Sequence, residues 1–325
     1  MSPFVHPQMA AILAEFLAAP AVDVKTLPID QARRMSDAAS AAWSAGAPDI
    51  PATELVIPGP RPMRARLYRP AGRHGLPLVL FVHGGGWTFG SIDTHDGTMR
   101  HLAVEAGCAV LGFDYRLAPE NPFPAPLEDT LSAAAFVRAG GLGPAVDHRR
   151  LAFAGDSAGA TLALSAMLRL RDAGEPLPAA AALFYGCYAP VFDTPSHRDL
   201  GEGFLLTSVN MRWYWRNYLG AAFDAPPPLA APLGAELGGL PPLYLAAAGL
   251  DPLRDDTTLL AGRLAEAGVA FRYDHVPGVV HGCLRMSRRL APAHTMIAAA
   301  GRFLAEALNE QNQEENADDP EDPGP

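Results

Sequence analysis

The amino-acid sequence predicts an α/β protein: a mostly parallel sheet of eight strands with helices on both faces. Three observations predict it. Short, continuously apolar segments alternate with segments of helical period along most of the 325 residues, as strands buried on both faces require. The run Gly155-Asp156-Ser157-Ala158-Gly159 stands where one such apolar segment ends and a helix former begins. Pro58-Gly59-Pro60 joins the first two strand-like segments by a turn too short for a crossover, so the sheet starts antiparallel.

Phe4, Met9, Ile12, Leu13, Phe16 and Leu17 recur at helical spacing and predict an opening amphipathic helix, followed by a second from about Ile29 to Trp43. Strands are expected at 53–57, 63–68, 78–82, 109–113, 151–154, 181–185, 243–247 and 271–276. The helices expected among the later strands cover 127–137, 158–171, 257–267 and 292–308. One stretch breaks the alternation. Between Gly186 and Leu240 no strand is evident, but Met211, Tyr214, Trp215, Tyr218 and Leu219 share one helical face. That face packs on the core, lines a pocket, or does both on different turns.

Apolar residues make up 49% of the chain and charged residues 18%, which suits a well-buried core. The net charge of −10 is mostly local. Glu310, Glu314, Glu315, Asp318, Asp319, Glu321 and Asp322 crowd residues 310–325, so the remainder is near neutral at −3. The tail reads as a disordered, solvated end. The body lacks the basic stripe that nucleic acid would demand. Cys108, Cys187 and Cys283 are odd in number and widely spaced, which predicts free thiols in a reducing compartment. The N-terminus has no basic n-region, and Pro178–Phe192 is too short and broken to span a bilayer. The expectation is a cytoplasmic protein with neither nucleic-acid nor membrane partners.

A serine between two glycines at a strand-to-helix junction is a nucleophile elbow. The turn is tight enough to exclude side chains at its flanks and lifts the hydroxyl above the sheet. Ser157 is therefore the candidate nucleophile; the alternative is a helix N-cap in a glycine-rich turn. His83-Gly84-Gly85-Gly86-Trp87 follows the strand expected at 78–82. Its unshielded N–H groups can converge on an oxyanion, and the expected donors are Gly84, Gly85 and Ala158. A phosphate loop is disfavoured, because neither Gly-Lys-Ser/Thr nor GxGxxG occurs there. His83 precedes the loop and is expected to anchor it.

A serine hydroxyl needs a general base and an orienting acid. In an α/β-hydrolase these follow the serine in the order acid, then histidine, on loops at the carboxyl ends of later strands. Asp251 and His281 hold those positions. His275 lies within a strand and is expected to be satisfied there; His294 comes too late, at the start of the closing helix. Asp255 and Asp256 are expected in the first turn of the next helix, where carboxylates complement the dipole.

Together with Asp114-Tyr115-Arg116-Leu117-Ala118-Pro119-Glu120, Asp251-Pro252-Leu253-Arg254-Asp255-Asp256 and His281-Gly282, these motifs resemble the hormone-sensitive-lipase-like esterases of the α/β-hydrolase fold, the bacterial acetyl esterases above all. The match runs from about Glu54 to Leu308 with spacing preserved. The resemblance implies Ser157, Asp251 and His281 as catalytic triad and Gly84, Gly85 and Ala158 as oxyanion hole. It also implies a catalytic core over 49–186 and 236–309, and a helical cap built from residues 1–48 and the insertion 187–235. The 114–120 stretch and Pro122-Phe123-Pro124 are then scaffold bracing the glycine loop. One departure stands out: Cys283 occupies a position often held by a bulky aromatic.

The expected activity is hydrolysis of small short-chain esters through an acyl-serine, with no metal or cofactor. An amidase or formamidase with the same triad is the second expectation, and a non-catalytic receptor on this fold the third. A homodimer through the strand at 271–276 is the assembly the topology suggests.

Overall fold

The computed structural model describes residues 3–19, 22–70 and 74–318. Two helices come first, α1 (Pro7–Ala18) and α2 (Ile29–Ser44). The sheet begins with β1 (Ala52–Ile57), β2 (Met63–Tyr68) and β3 (Leu76–Val82), and continues after α3 (Asp96–Ala106) with β4 (Ala109–Phe113). Next come α4 (Ala125–Arg138), β5 (Val146–Asp156), α5 (Ala158–Asp172) and β6 (Ala181–Phe184). The inserted helices α6 (Pro195–Leu200) and α7 (Ser208–Leu219) precede β7 (Leu243–Leu250), α8 (Arg254–Glu266), β8 (Phe271–Val280) and α9 (Ala291–Asp318).

The eight strands form one sheet in the order β1-β2-β4-β3-β5-β6-β7-β8. β1 pairs antiparallel with β2, and β2 with β4; every other neighbour is parallel. Period-2 alternation divides each strand between two cores. Leu78, Leu80 and Val82 of β3 face the layer of α4, α5 and α8, while Val79 and Phe81 face that of α3 and α9. Helix α5 is buried along almost its whole length, and β5 before it is flanked by β3 and β6. The junction between them is therefore held on all sides.

Several elements exceed the span that the pattern predicts. β7 and β8 run on to Leu250 and Val280, through a register shift between Ala248 and Leu250, so Asp251 and His281 each directly follow a strand. β5 begins at Val146 because Val146 pairs with Leu76, which carries polar Asp147–Arg150 into the strand. Helix α9 continues to Asp318, so the segment expected to be disordered from 310 is helical over 310–318, and 319–325 lie outside the described residues. Leu304 and Leu308 anchor α9 in the core. Extending an existing helix through Glu, Gln and Ala costs far less than nucleating one.

Candidate active site

The elbow is built by close backbone approach. Ser157 sits at φ 54°, ψ −123°, a strained conformation held because its N–H donates to Phe184 O at 2.9 Å and helix α5 begins at the next residue. A Cβ on Gly155 would stand 2.5 Å from Gly159 O, and one on Gly159 would penetrate the Val82 carbonyl. Both flanking positions therefore exclude any side chain.

Three side chains from separate strand ends meet above this turn. His281 Nε2 lies 2.8 Å from Ser157 Oγ, and His281 Nδ1 lies 2.7 Å from Asp251 Oδ2. The fully buried Asp251 is fixed by the Leu253 N–H, which donates to Oδ1 at 2.9 Å. Tyr185 meets the imidazole edge-on, with ring centroids 4.9 Å apart. His275 is exposed on edge strand β8 and makes no side-chain hydrogen bond among the described residues. His294 lies 3.4 Å from Glu105 in the first turn of α9, remote from the elbow.

The glycine loop departs from expectation at one residue. Gly84 N–H donates to Asp156 Oδ1 at 2.8 Å, so it is not available to a substrate oxygen. Among the described residues no hydrogen bond occupies the N–H groups of Gly85, Gly86 or Ala158. Only the tertiary pairing of Gly84 with Asp156 decides which glycines stay free, and the repeated Gly-Gly-Gly carries no sign of it.

Beneath the loop lies a buried polar cluster. Asp156 Oδ1 also meets His95 Nε2 at 3.2 Å. Burial works against the Asp156 charge, but His95, then the Arg285 charge and the Gly84 N–H, outweigh it and hold this carboxyl at about 2. His83 is buried and its value is also lowered, to about 3, but this keeps it neutral: desolvation acts first and His95 second. It stacks on Tyr115 at 4.2 Å between ring centroids, and Tyr115 Oη donates to His83 O at 2.9 Å. The Ala118 N–H reaches Trp87 O at 2.8 Å and the Ile92 N–H reaches Asp114 Oδ1 at 2.7 Å. His83 and the 114–120 stretch thus brace the glycine loop. His95 was not singled out in the sequence; its one signal is a histidine just before Asp96, where α3 starts.

The site opens into a cavity of about 270 Å³ bordered by the glycine loop, Ser157, His281, Arg285 and the helices above. α1 and α2 contribute Phe16 and Trp43; the inserted segment contributes Leu205, Met211 and Tyr214. Helix α7 divides its aromatic face. Trp215 and Tyr218 pack on Trp87 at 4.6 and 4.1 Å between centroids, while Met211 and Tyr214 turn to the cavity.

Asp255 and Asp256 begin α8 as expected but reach outward rather than capping it. Asp255 Oδ2 accepts the Ser196 N–H at 2.8 Å, and buried Asp256 Oδ1 accepts the Tyr188 N–H at 3.1 Å. Burial drives the Asp256 carboxyl well above its ordinary value. Cys283 is buried against Met296 Sδ at 3.8 Å, does not border the cavity, and has its thiol pKa raised by desolvation. Cys108 and Cys187 are likewise buried and free. No helix among the described residues is long and apolar enough to cross a membrane.

Fold and strand-end constellation define a serine hydrolase of the α/β-hydrolase class, and the comparisons with known proteins agree. A family model described as alpha/beta hydrolase fold matches residues 79–285. The chain is 38% identical over 241 residues to esterase LipI of Mycobacterium tuberculosis, covering 72% of this chain and 75% of LipI. It is 40% identical over 253 residues to carboxylic ester hydrolase LipN of the same organism, covering 73% of this chain and 65% of LipN. Among solved structures, a thermostable esterase from Pseudomonas putida superposes with a TM-score of 0.90 at 29% identity, covering 95% of this chain and 99% of that one. A hydrolase mutant from the metagenome of Lake Arreo, Spain, gives 0.89 at 34% identity, covering 94% and 99%. The chain belongs to the hormone-sensitive-lipase-like family of α/β-hydrolases and is a serine hydrolase of carboxylic esters.

Proposed function

We propose that the chain hydrolyses small, short-chain carboxylic esters through an acyl-serine intermediate. Ser157 attacks the ester carbonyl while His281 Nε2 takes its proton. Asp251 stays ionised, holds the imidazole tautomer and stabilises the imidazolium. The N–H groups of Gly85, Gly86 and Ala158 receive the developing oxyanion, Gly86 replacing the engaged Gly84, and the Ala158 amide adds the favourable N-terminal end of the α5 dipole. The alcohol leaves with the proton from His281, and water then repeats the sequence on the acyl-enzyme.

The observation that carries this reading is the Ser157–His281–Asp251 chain, at 2.8 and 2.7 Å, opening beside unoccupied N–H groups. The cavity of about 270 Å³ is small beside the ~300–1,000 Å³ usual for ligand pockets, which supports a short acyl chain. Residues 1–48 and 187–235 act as the cap over it. The test is an activity profile of 4-nitrophenyl esters from acetyl to dodecanoyl, with mass spectrometry of the quenched enzyme. Rates should peak among the shortest acyl groups and Ser157 should carry the acyl mass; a maximum at the long end, or acylation elsewhere, overturns the assignment.

A further inference from the structure

One cationic side chain on the cavity wall makes no direct ion pair among the described residues. Arg285 lies on the short turn Cys283–Met286, four residues beyond His281, and borders the same cavity as Ser157 and His281. Its guanidinium folds back over the histidine loop, so that a Cβ on Gly282 would stand 3.6 Å from Nη2. Its hydrogen bond among the described residues runs from Nη1 to Ser40 Oγ of α2, at 3.2 Å. Ser40 in turn donates to Ser36 O at 2.8 Å, so the partner is neutral.

The surrounding acids are spoken for. Among the described residues Asp156 is the one carboxylate bordering the cavity, and it feels the Arg285 charge, but its Oδ1 is held by Gly84 and His95 and its Oδ2 faces Tyr185 Oη at 3.4 Å. Two arginines of neighbouring elements are paired, Arg33 with Glu120 and Arg289 with Glu15, whereas exposed Arg288 is not, among the described residues. Arg285 forms no ion pair among the described residues. A guanidinium presents five N–H donors in a planar fork that matches a carboxylate.

We propose that Arg285 recognises substrate, and that the preferred esters carry a free carboxylate besides the scissile ester. The inference rests on Ser157 being the nucleophile. The guanidinium receives the carboxylate while the ester carbonyl enters the glycine loop. Hydrolysis then releases either a dicarboxylate and an alcohol, or a hydroxy acid and a simple acid, according to which side bears the charge.

The test uses isosteric pairs that differ only in charge: monomethyl glutarate against its primary amide, and 3-acetoxypropanoate against 3-acetoxypropanamide. At least one pair should favour the acid in kcat/KM by roughly ten-fold, the scale of a charge-assisted bond discounted for partial exposure. Arg285→Gln should bring that ratio towards one, and Arg285→Lys should retain part of it. A wild-type ratio of one or less in both pairs overturns the proposal, as does a preference that survives Arg285→Gln. Should that variant not fold, ionic strength decides on the wild type: the acid's advantage must shrink with salt, and an advantage indifferent to salt overturns the idea. Failure to hydrolyse any of these esters and 4-nitrophenyl acetate would instead remove the esterase reading beneath it.

Discussion

The rim of the sheet and the helices above it solve different problems. At the rim, position is set by backbone: Gly155 and Gly159 allow strand, turn and helix to interpenetrate, and Ser157 is left with one conformation. Above it, α1, α2 and α7 meet the cavity through side chains such as Phe16, Trp43, Met211 and Tyr214. A backbone collision cannot be relieved by a rotamer change, whereas a side-chain contact can. The triad therefore stands in the region that cannot adjust, and much of the cavity wall in the region that can.

Substitutions should separate the two regions by the size and kind of their effects. The largest change belongs to Ser157→Ala, which should lower kcat on 4-nitrophenyl acetate by on the order of 10⁴–10⁶ with the melting temperature preserved; substantial residual turnover would refute the nucleophile. Gly159→Ala should act on folding instead, because its Cβ meets backbone on β3. A loss above ~4 kcal/mol in denaturant unfolding is expected, and a variant of near wild-type stability would show that the rim does adjust.

His83→Asn probes the buried cluster through pH. The folded-state value of His83, about 3, lies below its ordinary 6.5, so between these limits the unfolded chain binds more protons. Its contribution is fully present above about 6.5 and is lost as pH falls towards 3, with a slope approaching ~1.4 kcal/mol per pH unit. The variant should flatten the dependence of stability on pH across that window; an unchanged slope would place the acid sensitivity elsewhere. The smallest effect belongs to the helices above. The Tyr214 ring lies against Gly86, so Tyr214→Ala should enlarge the cavity and raise rates on longer acyl esters relative to acetate by several-fold, as on the ~1–3 kcal/mol scale of pocket contacts. An unaltered acyl profile would mean that this ring does not limit the substrate.

The same division governs what was legible in the sequence. β2 and β4 match their predicted spans to the residue, because apolar runs between breakers leave little latitude. The elbow was legible too, since its glycines are demanded by covalent geometry within five residues. Helix α3 escaped notice because Asp96-Gly97-Thr98 opens it with weak helix formers, and α6 is only six residues long. The expectation for Gly84 fails for another reason. Its amide is claimed by a carboxylate 72 residues away, and a local motif cannot report which of its donors a distant side chain has taken. Arg285 and His95 likewise acquire meaning only from neighbours that the fold supplies.

Asp255 and Asp256 give one short stretch of chain two mountings. Within the residues from 251 to 256, one carboxylate steadies the imidazole while two others grip the backbone at Tyr188 and Ser196, where the roof departs from the sheet. From Gly201 onward that roof can be remodelled for a new substrate at little risk to the proton relay. Its first turns cannot, because they share their footing with the acid.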